Sequence, residues 1–207
     1  MASPEKTDKG EIVIIKYNAG NIQSVQYALE RLGVNAIVSD DHQRILEAKK
    51  VIFPGVGEAS TAMSYLKERE LDKLIINLQQ PVLGICLGMQ LMCSYTEEND
   101  TPCLGIFGER VELFRPGNGK EKVPQIGWNA IFHLKTPLFE GIPELSYVYS
   151  VHSYCAAVGH HTIATTDYIH HYSAGLHHKN FYGVQFHPEK SAAIGEKLLR
   201  NFIFTIN

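Results

Sequence analysis

The stretch that most constrains this chain is 81–92, Pro81-Val82-Leu83-Gly84-Ile85-Cys86-Leu87-Gly88-Met89-Gln90-Leu91-Met92. An apolar run bounded by a proline predicts a central strand covered on both faces. Leu91, Met92 and Tyr95 then recur at the spacing of a helix. Cys86 falls at the turn between strand and helix, flanked symmetrically by Gly84 and Gly88. A chain that turns sharply from strand to helix crowds its own backbone, and small residues on both sides tolerate the crowding. The pattern G-x-C-x-G is the thiol counterpart of G-x-S-x-G. Unpaired N–H groups and the positive end of the following helix favour thiolate over thiol, which makes Cys86 a candidate nucleophile. The competing reading is a buried cysteine that packs as a small hydrophobe.

The residues before this elbow predict a parallel sheet. A β-branched run at 11–17 leads into a loop and then to Val25, Ala28, Leu29 and Leu32 at helical spacing. Asn21 is the expected N-cap of that helix and Gly33 its stop. Strands are expected at 34–39 and 51–53 with a short helix at 43–48 between them, and such alternation builds parallel pairs. The third strand opens into Pro54-Gly55-Val56-Gly57-Glu58, followed by a helical pattern through Met63 and Leu66 and, after a break, Leu71, Leu74 and Ile75. In doubly wound sheets ligands bind at the carboxyl edge, where both this loop and Cys86 fall. Backbone N–H groups around Val56 are candidates to hold an oxyanion, and one such donor contributes ~2.7–4 kcal/mol in a transition state. An ordinary tight turn is the alternative for the loop alone.

After a polar exit at 97–100, a β-rich region runs from 104 to 114 and a surface turn is expected at 116–120. Residues 124–131 carry the only tryptophan, Trp128, whose bulk suggests core packing. Residues 147–154 alternate aromatic and polar, as a half-buried strand does, and short strands are expected at 162–166, 173–177 and 182–186. A closing amphipathic helix at 196–204 places Leu198, Leu199, Phe202 and Ile203 on one side. The expected fold class is therefore α/β, a three-layer, doubly wound and mostly parallel central sheet with additional antiparallel strands in the C-terminal half.

Composition bounds the function. With 207 residues, 44% hydrophobic and 20% charged, the chain suits one globular domain over 11–207 behind a loose tail at 1–10. A formal net charge of −3 without a basic run gives no electrostatic reason for nucleic acid or an anionic membrane as partner. The longest apolar segment, 74–92, is interrupted by Asn77, Gln79, Gln80 and Pro81, which excludes it as a membrane span. The first ten residues lack the apolar core of a signal peptide or anchor. Cys86, Cys93, Cys103 and Cys155 form no C-x-x-C pair, so free thiols in a reducing cytoplasm are expected.

A nucleophilic thiol needs a base, and the base an orienting group. The segment Tyr182-Gly183-Val184-Gln185-Phe186-His187-Pro188-Glu189 supplies both. In extended chain His187 and Glu189 project to one side, with Pro188 stiffening the link. The adjacent pairs His160-His161, His170-His171 and His177-His178 would point to opposite faces of a strand, and no cysteine or carboxylate spacing of a closed metal site accompanies them. No metal or cofactor is expected.

Taken together, Gly84-Ile85-Cys86-Leu87-Gly88-Met89-Gln90, the loop Pro54-Gly55-Val56-Gly57 and Phe186-His187-Pro188-Glu189 resemble, in the right order, the three signatures of the class I, triad-type glutamine amidotransferases. The resemblance covers residues from about 11 to the C-terminus and implies a flavodoxin-like fold. Tyr17-Asn18-Ala19-Gly20-Asn21, Val56, Pro124-Gln125-Ile126-Gly127-Trp128-Asn129 and Tyr149-Ser150-Val151-His152-Ser153-Tyr154 make the chain most similar to the glutaminases that supply ammonia to histidine biosynthesis. Asn18 stands where that group often has glycine. The resemblance implies that Cys86 attacks the carboxamide of L-glutamine, His187 shuttles protons and Glu189 orients the imidazolium. It implies oxyanion donors at Leu87 and in the Val56–Gly57 loop, and glutamine contacts from Gly55, Gln90, Glu98, His152, Ser153 and Tyr154. It further implies a heterodimer with a separate (β/α)₈-barrel cyclase, docked on the face that carries the 18–21 loop and residues 124–129. Docking is expected to complete the oxyanion hole. Alternatives are a sister glutaminase serving pyridoxal phosphate, purine or anthranilate synthesis, a thiol peptidase, and a non-catalytic scaffold on the same fold.

Overall fold

The structure, a computed structural model, describes residues 11–17, 19–117 and 121–207. The expectations for the tail at 1–10, for Asn18 and for 118–120 of the surface turn lie outside the described residues. The first half alternates as its pattern predicts: β1 (Ile12–Ile15), α1 (Ile22–Arg31), β2 (Ala36–Ser39), α2 (His42–Glu47), β3 (Lys50–Phe53), α3 (Ala59–Glu68), α4 (Leu71–Ile76) and β4 (Val82–Ile85). Gly33 ends the first helical segment at φ +74°, a backbone that glycine adopts without Cβ strain. Glu70, at φ +54°, makes the break between α3 and α4.

The elbow helix α5 is short, Leu87–Met92. Tyr95 does not continue it. Cys93 turns the backbone extended at ψ 176°, and Tyr95 lies instead in β5 (Tyr95–Thr96) of a second, four-stranded sheet that the sequence pattern does not suggest. That sheet runs β10 (Tyr154–Ala156), β7 (Arg110–Leu113), β5, β6 (Thr101–Pro102). The remaining strands are β8 (Gln125–Phe132), β9 (Ser146–His152), β11 (Thr162–Asp167), β12 (His171–His178) and β13 (Phe181–Val184), and α6 (Ala192–Phe204) closes the chain.

The main sheet has the order β2-β1-β3-β4-β13-β12-β11-β8-β9. Its first five strands pair in parallel and the last four add antiparallel. Alternation along each strand sends side chains into two cores. Ile12, Ile14, Ile52, Leu83 and Ile85 pack with Val25 and Leu29 of α1 and Leu198 and Phe202 of α6. Val13, Ile15, Val51, Phe53 and Val82 pack with Ile45 of α2, Leu66 of α3, Ile75 of α4 and Leu91 of α5. These are the three layers of a doubly wound fold, and each fully buried aliphatic side chain contributes ~1.5–3 kcal/mol. Among the described residues no helix is long and apolar enough to cross a membrane.

Trp128 is not core. It is 50% exposed, on the outward face of β8 with its ring 6.0 Å from that of Tyr149 on β9. Strand parity decides this, because Gln125 and Ile131, of opposite parity to Trp128, point inward and are buried.

The glycines flanking Cys86 are required by contact, not torsion. A Cβ at Gly88 would lie 1.8 Å from the Phe53 carbonyl oxygen, and one at Gly84 2.9 Å from the Met89 nitrogen. Glycine to alanine inside a helix ordinarily stabilises by about 1 kcal/mol. Gly88→Ala is expected to invert that sign, costing about 2–3 kcal/mol through overpacking against the end of β3. Denaturant unfolding checks it, the expected result being a lower midpoint at unchanged slope.

Candidate active site

Cys86 sits at φ +53°, ψ −110°, a conformation that costs a non-glycine residue about 1–3 kcal/mol and marks sites where the fold imposes it. Two backbone bonds hold the distortion. The Cys86 N–H donates to the Val184 carbonyl of β13 at 2.8 Å, and the Cys86 carbonyl accepts from the Gln90 N–H at 3.1 Å. The parallel register of β4 with β13, Gly84 opposite Gly183 and Ile85 opposite Val184, therefore brings the residues after β13 to the elbow.

His187 follows three residues after β13. Its N–H donates to the Tyr149 carbonyl of β9 at 2.9 Å. Ser191 Oγ donates to the His187 carbonyl at 2.7 Å and accepts from the Tyr149 N–H at 2.9 Å. His187 Nδ1 meets Glu189 Oε1 at 2.8 Å, with both side chains buried. The i, i+2 pairing arises through a 3₁₀ turn, Pro188–Lys190, in place of the extended chain expected from sequence. His187 Nε2 is buried on the Cys86 side without a directed hydrogen bond, and Glu189 Oε2 is likewise unpaired. Burial lowers the His187 pKa, but the nearby Cys86 sulfur and the hydrogen bond and charge of Glu189 outweigh it and leave the group raised to about 10. At neutral pH the ring is an imidazolium beside the sulfur.

Asn21 stands at the N-cap position of α1 but does not cap it; its Nδ2 donates to Glu189 Oε1 at 3.1 Å. The sequence signal for an N-cap thus marks a residue whose amide serves the carboxylate of the His–Glu pair. Gln185 carries no such signal, though it shares strand parity with His187. Its Nε2 donates to Cys86 Sγ at 3.7 Å. Nothing local to either residue announces a partner more than ninety positions away.

A cavity of about 240 Å³ opens beside Cys86, and Val56, Gly57 and Leu87 line it. Gln90, Glu98, His152, Ser153 and Tyr154 complete the predicted lining, with Pro124 and Val151 added by the structure. Gly55 does not line it. Its carbonyl instead accepts a hydrogen bond from the Leu87 N–H at 3.2 Å, so that donor is already engaged. Gly57, at φ +117°, needs glycine. Tyr17 fixes the start of the loop, its hydroxyl donating to the Pro54 carbonyl at 2.6 Å. Glu98 Oε2 accepts from the Ala59 N–H at 2.8 Å, and burial pushes its carboxyl up. His152 is held neutral. Burial drives its pKa down to about 4, its Nδ1 donates to the Tyr154 carbonyl at 2.8 Å, and its Nε2 faces the Tyr172 hydroxyl at 3.2 Å.

All four cysteines are free thiols. His160 and His161 lie in a turn, not on a strand, and the His161 ring reaches that of His178 at 4.8 Å while its Nδ1 meets Glu109 Oε2 at 2.8 Å. Among the described residues no group of three or more His, Cys, Asp or Glu side chains is arranged to hold a metal ion.

A strained cysteine and a glycine loop on one small cavity, with a buried His–Glu pair that does not itself line it, make a site suited to acyl transfer through a thioester. A family model described as glutamine amidotransferase class-I matches residues 13–206. A relative from Bacteroides fragilis (strain YCH46), named imidazole glycerol phosphate synthase subunit HisH, is 55% identical over 193 residues, covering 93% of this chain and 98% of its own. One of the same name from Haemophilus influenzae (strain ATCC 51907) is 45% identical over 193 residues, covering 93% and 96%. Among solved structures, a glutamine amidotransferase from Thermotoga maritima superposes with a TM-score of 0.60 at 20% identity, covering 94% of this chain and 82% of that one. The structure of PurLQS from Thermotoga maritima gives 0.66 at 15% identity, covering 96% and 100%. These two likenesses concern the fold.

The two imidazoles should titrate far apart. In NMR titrations, His187 is expected to lose its proton at about 10 and His152 to gain one only at about 4. Cys86→Ala is expected to lower the His187 midpoint by removing a raising interaction. For His152 the unfolded chain, with its pKa near 6.5, binds the proton more readily than the folded one. Its contribution therefore makes stability fall as pH drops from about 6.5 to about 4, and unfolding of His152→Gln over that window should lose this slope.

Proposed function

We propose, from a chain that belongs to the class I glutamine amidotransferase family, that Cys86, His187 and Glu189 are its catalytic triad and that it hydrolyses L-glutamine as the glutaminase subunit of an imidazole glycerol phosphate synthase. The observation that carries the reading is the buried His187–Glu189 pair at 2.8 Å, delivered by the β4–β13 register to a cysteine held at positive φ.

The chemistry follows from the protonation state. With its proton resident on His187, Cys86 attacks the side-chain carbonyl carbon of glutamine as a thiolate. The tetrahedral intermediate collapses as the imidazolium gives its proton to the departing nitrogen, releasing ammonia and leaving a glutamyl thioester. Neutral His187 then takes a proton from water, the resulting hydroxide attacks the thioester, and glutamate leaves as thiolate and imidazolium are restored. Glu189 holds Nδ1 and stabilises the ring's charge, and Asn21 holds Glu189.

The oxyanion needs N–H donors, and here the Leu87 N–H is taken by the Gly55 carbonyl. Rotation of the Gly55–Val56 peptide withdraws that carbonyl and turns the Val56 N–H toward the cavity, which frees one donor and supplies a second. The cyclase is the agent of this rotation in our reading. Supporting it, Ile126, Trp128 and Tyr147 stand 65%, 50% and 61% exposed on the outward face of the β8–β9 hairpin. The same hairpin holds the His187 backbone through Tyr149 and contributes Val151 to the cavity. Ammonia released there passes to the cyclase, a (β/α)₈ barrel, for imidazole formation in histidine biosynthesis, with both chains cytoplasmic.

The test is ammonia release from glutamine with and without a histidine-pathway cyclase and its nucleotide substrate. Turnover is expected to rise when both are present, and equal turnover in the two conditions would refute gating by the partner. Cys86→Ala is expected to lose about 10⁴-fold or more in turnover while retaining affinity for the cyclase. Restoration of turnover by a cyclase of another ammonia-using pathway, and not by this one, would assign the chain to a sister enzyme.

A further inference from the structure

We infer that Gln185 is a further residue of the catalytic centre, an N–H donor whose polarity is fixed from a distance so that the Cys86 sulfur is held as the acceptor. The inference rests on the preceding assignment of Cys86 as nucleophile and extends it.

Four groups in series fix the direction. The Tyr154 carbonyl has only lone pairs, so the Gln90 atom 2.8 Å from it is the amide nitrogen. That same nitrogen lies 2.9 Å from one terminal atom of Gln185, which must then be the oxygen. Gln185 therefore has only its N–H group left for Cys86 Sγ, at 3.7 Å. Orientations of amide groups are usually ambiguous, because oxygen and nitrogen look alike. Here a backbone carbonyl removes the ambiguity two residues away. The carbonyl is itself fixed, since His152 Nδ1 also donates to it at 2.8 Å.

The consequence is chemical. A sulfur facing an N–H that cannot turn over is favoured as thiolate, because a charged acceptor gains more from the bond than a neutral thiol does. His187 approaches the sulfur with a proton it gives away during the reaction, whereas Gln185 keeps its proton throughout. Gln185 and Gln90 are 1% and 5% exposed, so the relay is screened from water and keeps its direction. Gln185 thereby stabilises the sulfur in the two states in which it is anionic, before attack and after deacylation.

The experiment measures alkylation of Cys86 by iodoacetamide against pH in the full-length chain, with the labelled residue located by mass spectrometry. Gln185→Met keeps the length and approximate volume but removes the donor. It is expected to slow labelling about tenfold at neutral pH and to move the rising limb of the profile up by about one unit. Gln185→Glu still accepts from Gln90 with one oxygen but presents the other to the sulfur, and it should label more slowly than the Met variant at neutral pH and above. Circular dichroism checks the fold, and if Gln185→Met does not fold, the isosteric Glu variant carries the test. A Met variant with the wild-type profile, whatever its overall rate, or a Glu variant that labels like wild type, would overturn the inference. Failure of the underlying assignment looks different, since Cys86→Ala would then still hydrolyse glutamine.

Discussion

The parallel ladder between β4 and β13 is the constraint on which the site depends. Two four-residue strands about a hundred positions apart in sequence are held in one register, Val82 opposite Phe181 through Ile85 opposite Val184. Side chains alternate along a strand, so a slip of one residue would send every buried residue of β13 to the opposite core. It would also separate the Cys86 N–H from the Val184 carbonyl, the bond that holds the elbow in its strained form. The apolar alternation that builds the two cores thus also sets the distance from sulfur to imidazole. Gly183 is part of the same arrangement, because a Cβ there would meet Met89 Cγ at 2.4 Å and push α5 off the sheet.

Electrostatics around the elbow divides two neighbouring histidines between opposite tasks. His187 and His152 are both buried, and burial alone would discharge both. His187 has a carboxylate on one nitrogen and the Cys86 sulfur near the other, and both raise its pKa. His152 has a carbonyl and a hydroxyl as partners and sits near the charge of His187, and it stays neutral. A neutral His152 presents one N–H to the Tyr154 carbonyl and so anchors the amide series that ends on the sulfur. The same residue type has its pKa raised in one place and lowered in the other, and the partners make the difference.

Much of this is legible in the chain. The apolar run at 82–85, the glycines around Cys86 and the alternation of strands and helices up to that point identify the sheet, its parallel half and the elbow that carries Cys86. His187 and Glu189 are legible because the interaction is local. Asn21, Gln185 and Ser191 are not, since each acts through a partner brought near only by the fold. Trp128 reads as core from its size, yet its parity on β8 turns it outward, where the inward positions belong to Gln125 and Ile131. Tyr95 keeps helical spacing after the helix has ended, since Cys93 turns extended and Ser94 pairs through its N–H with the Glu109 carbonyl. Hydrophobic period records which side chains are apolar; it does not record which backbone groups have found other partners.

The engagement of the Leu87 N–H by the Gly55 carbonyl has a consequence for inhibition. A compound that displaces a leaving group at saturated carbon develops no negative oxygen and has no use for the occupied donor, so the resting chain is open to it. An aldehyde that must settle as a hemithioacetal does need that donor, and its grip is weakened by whatever it costs to turn the peptide away. On the proposed rotation, the ratio of the two potencies would gauge how far the loop has turned, readable without measuring turnover.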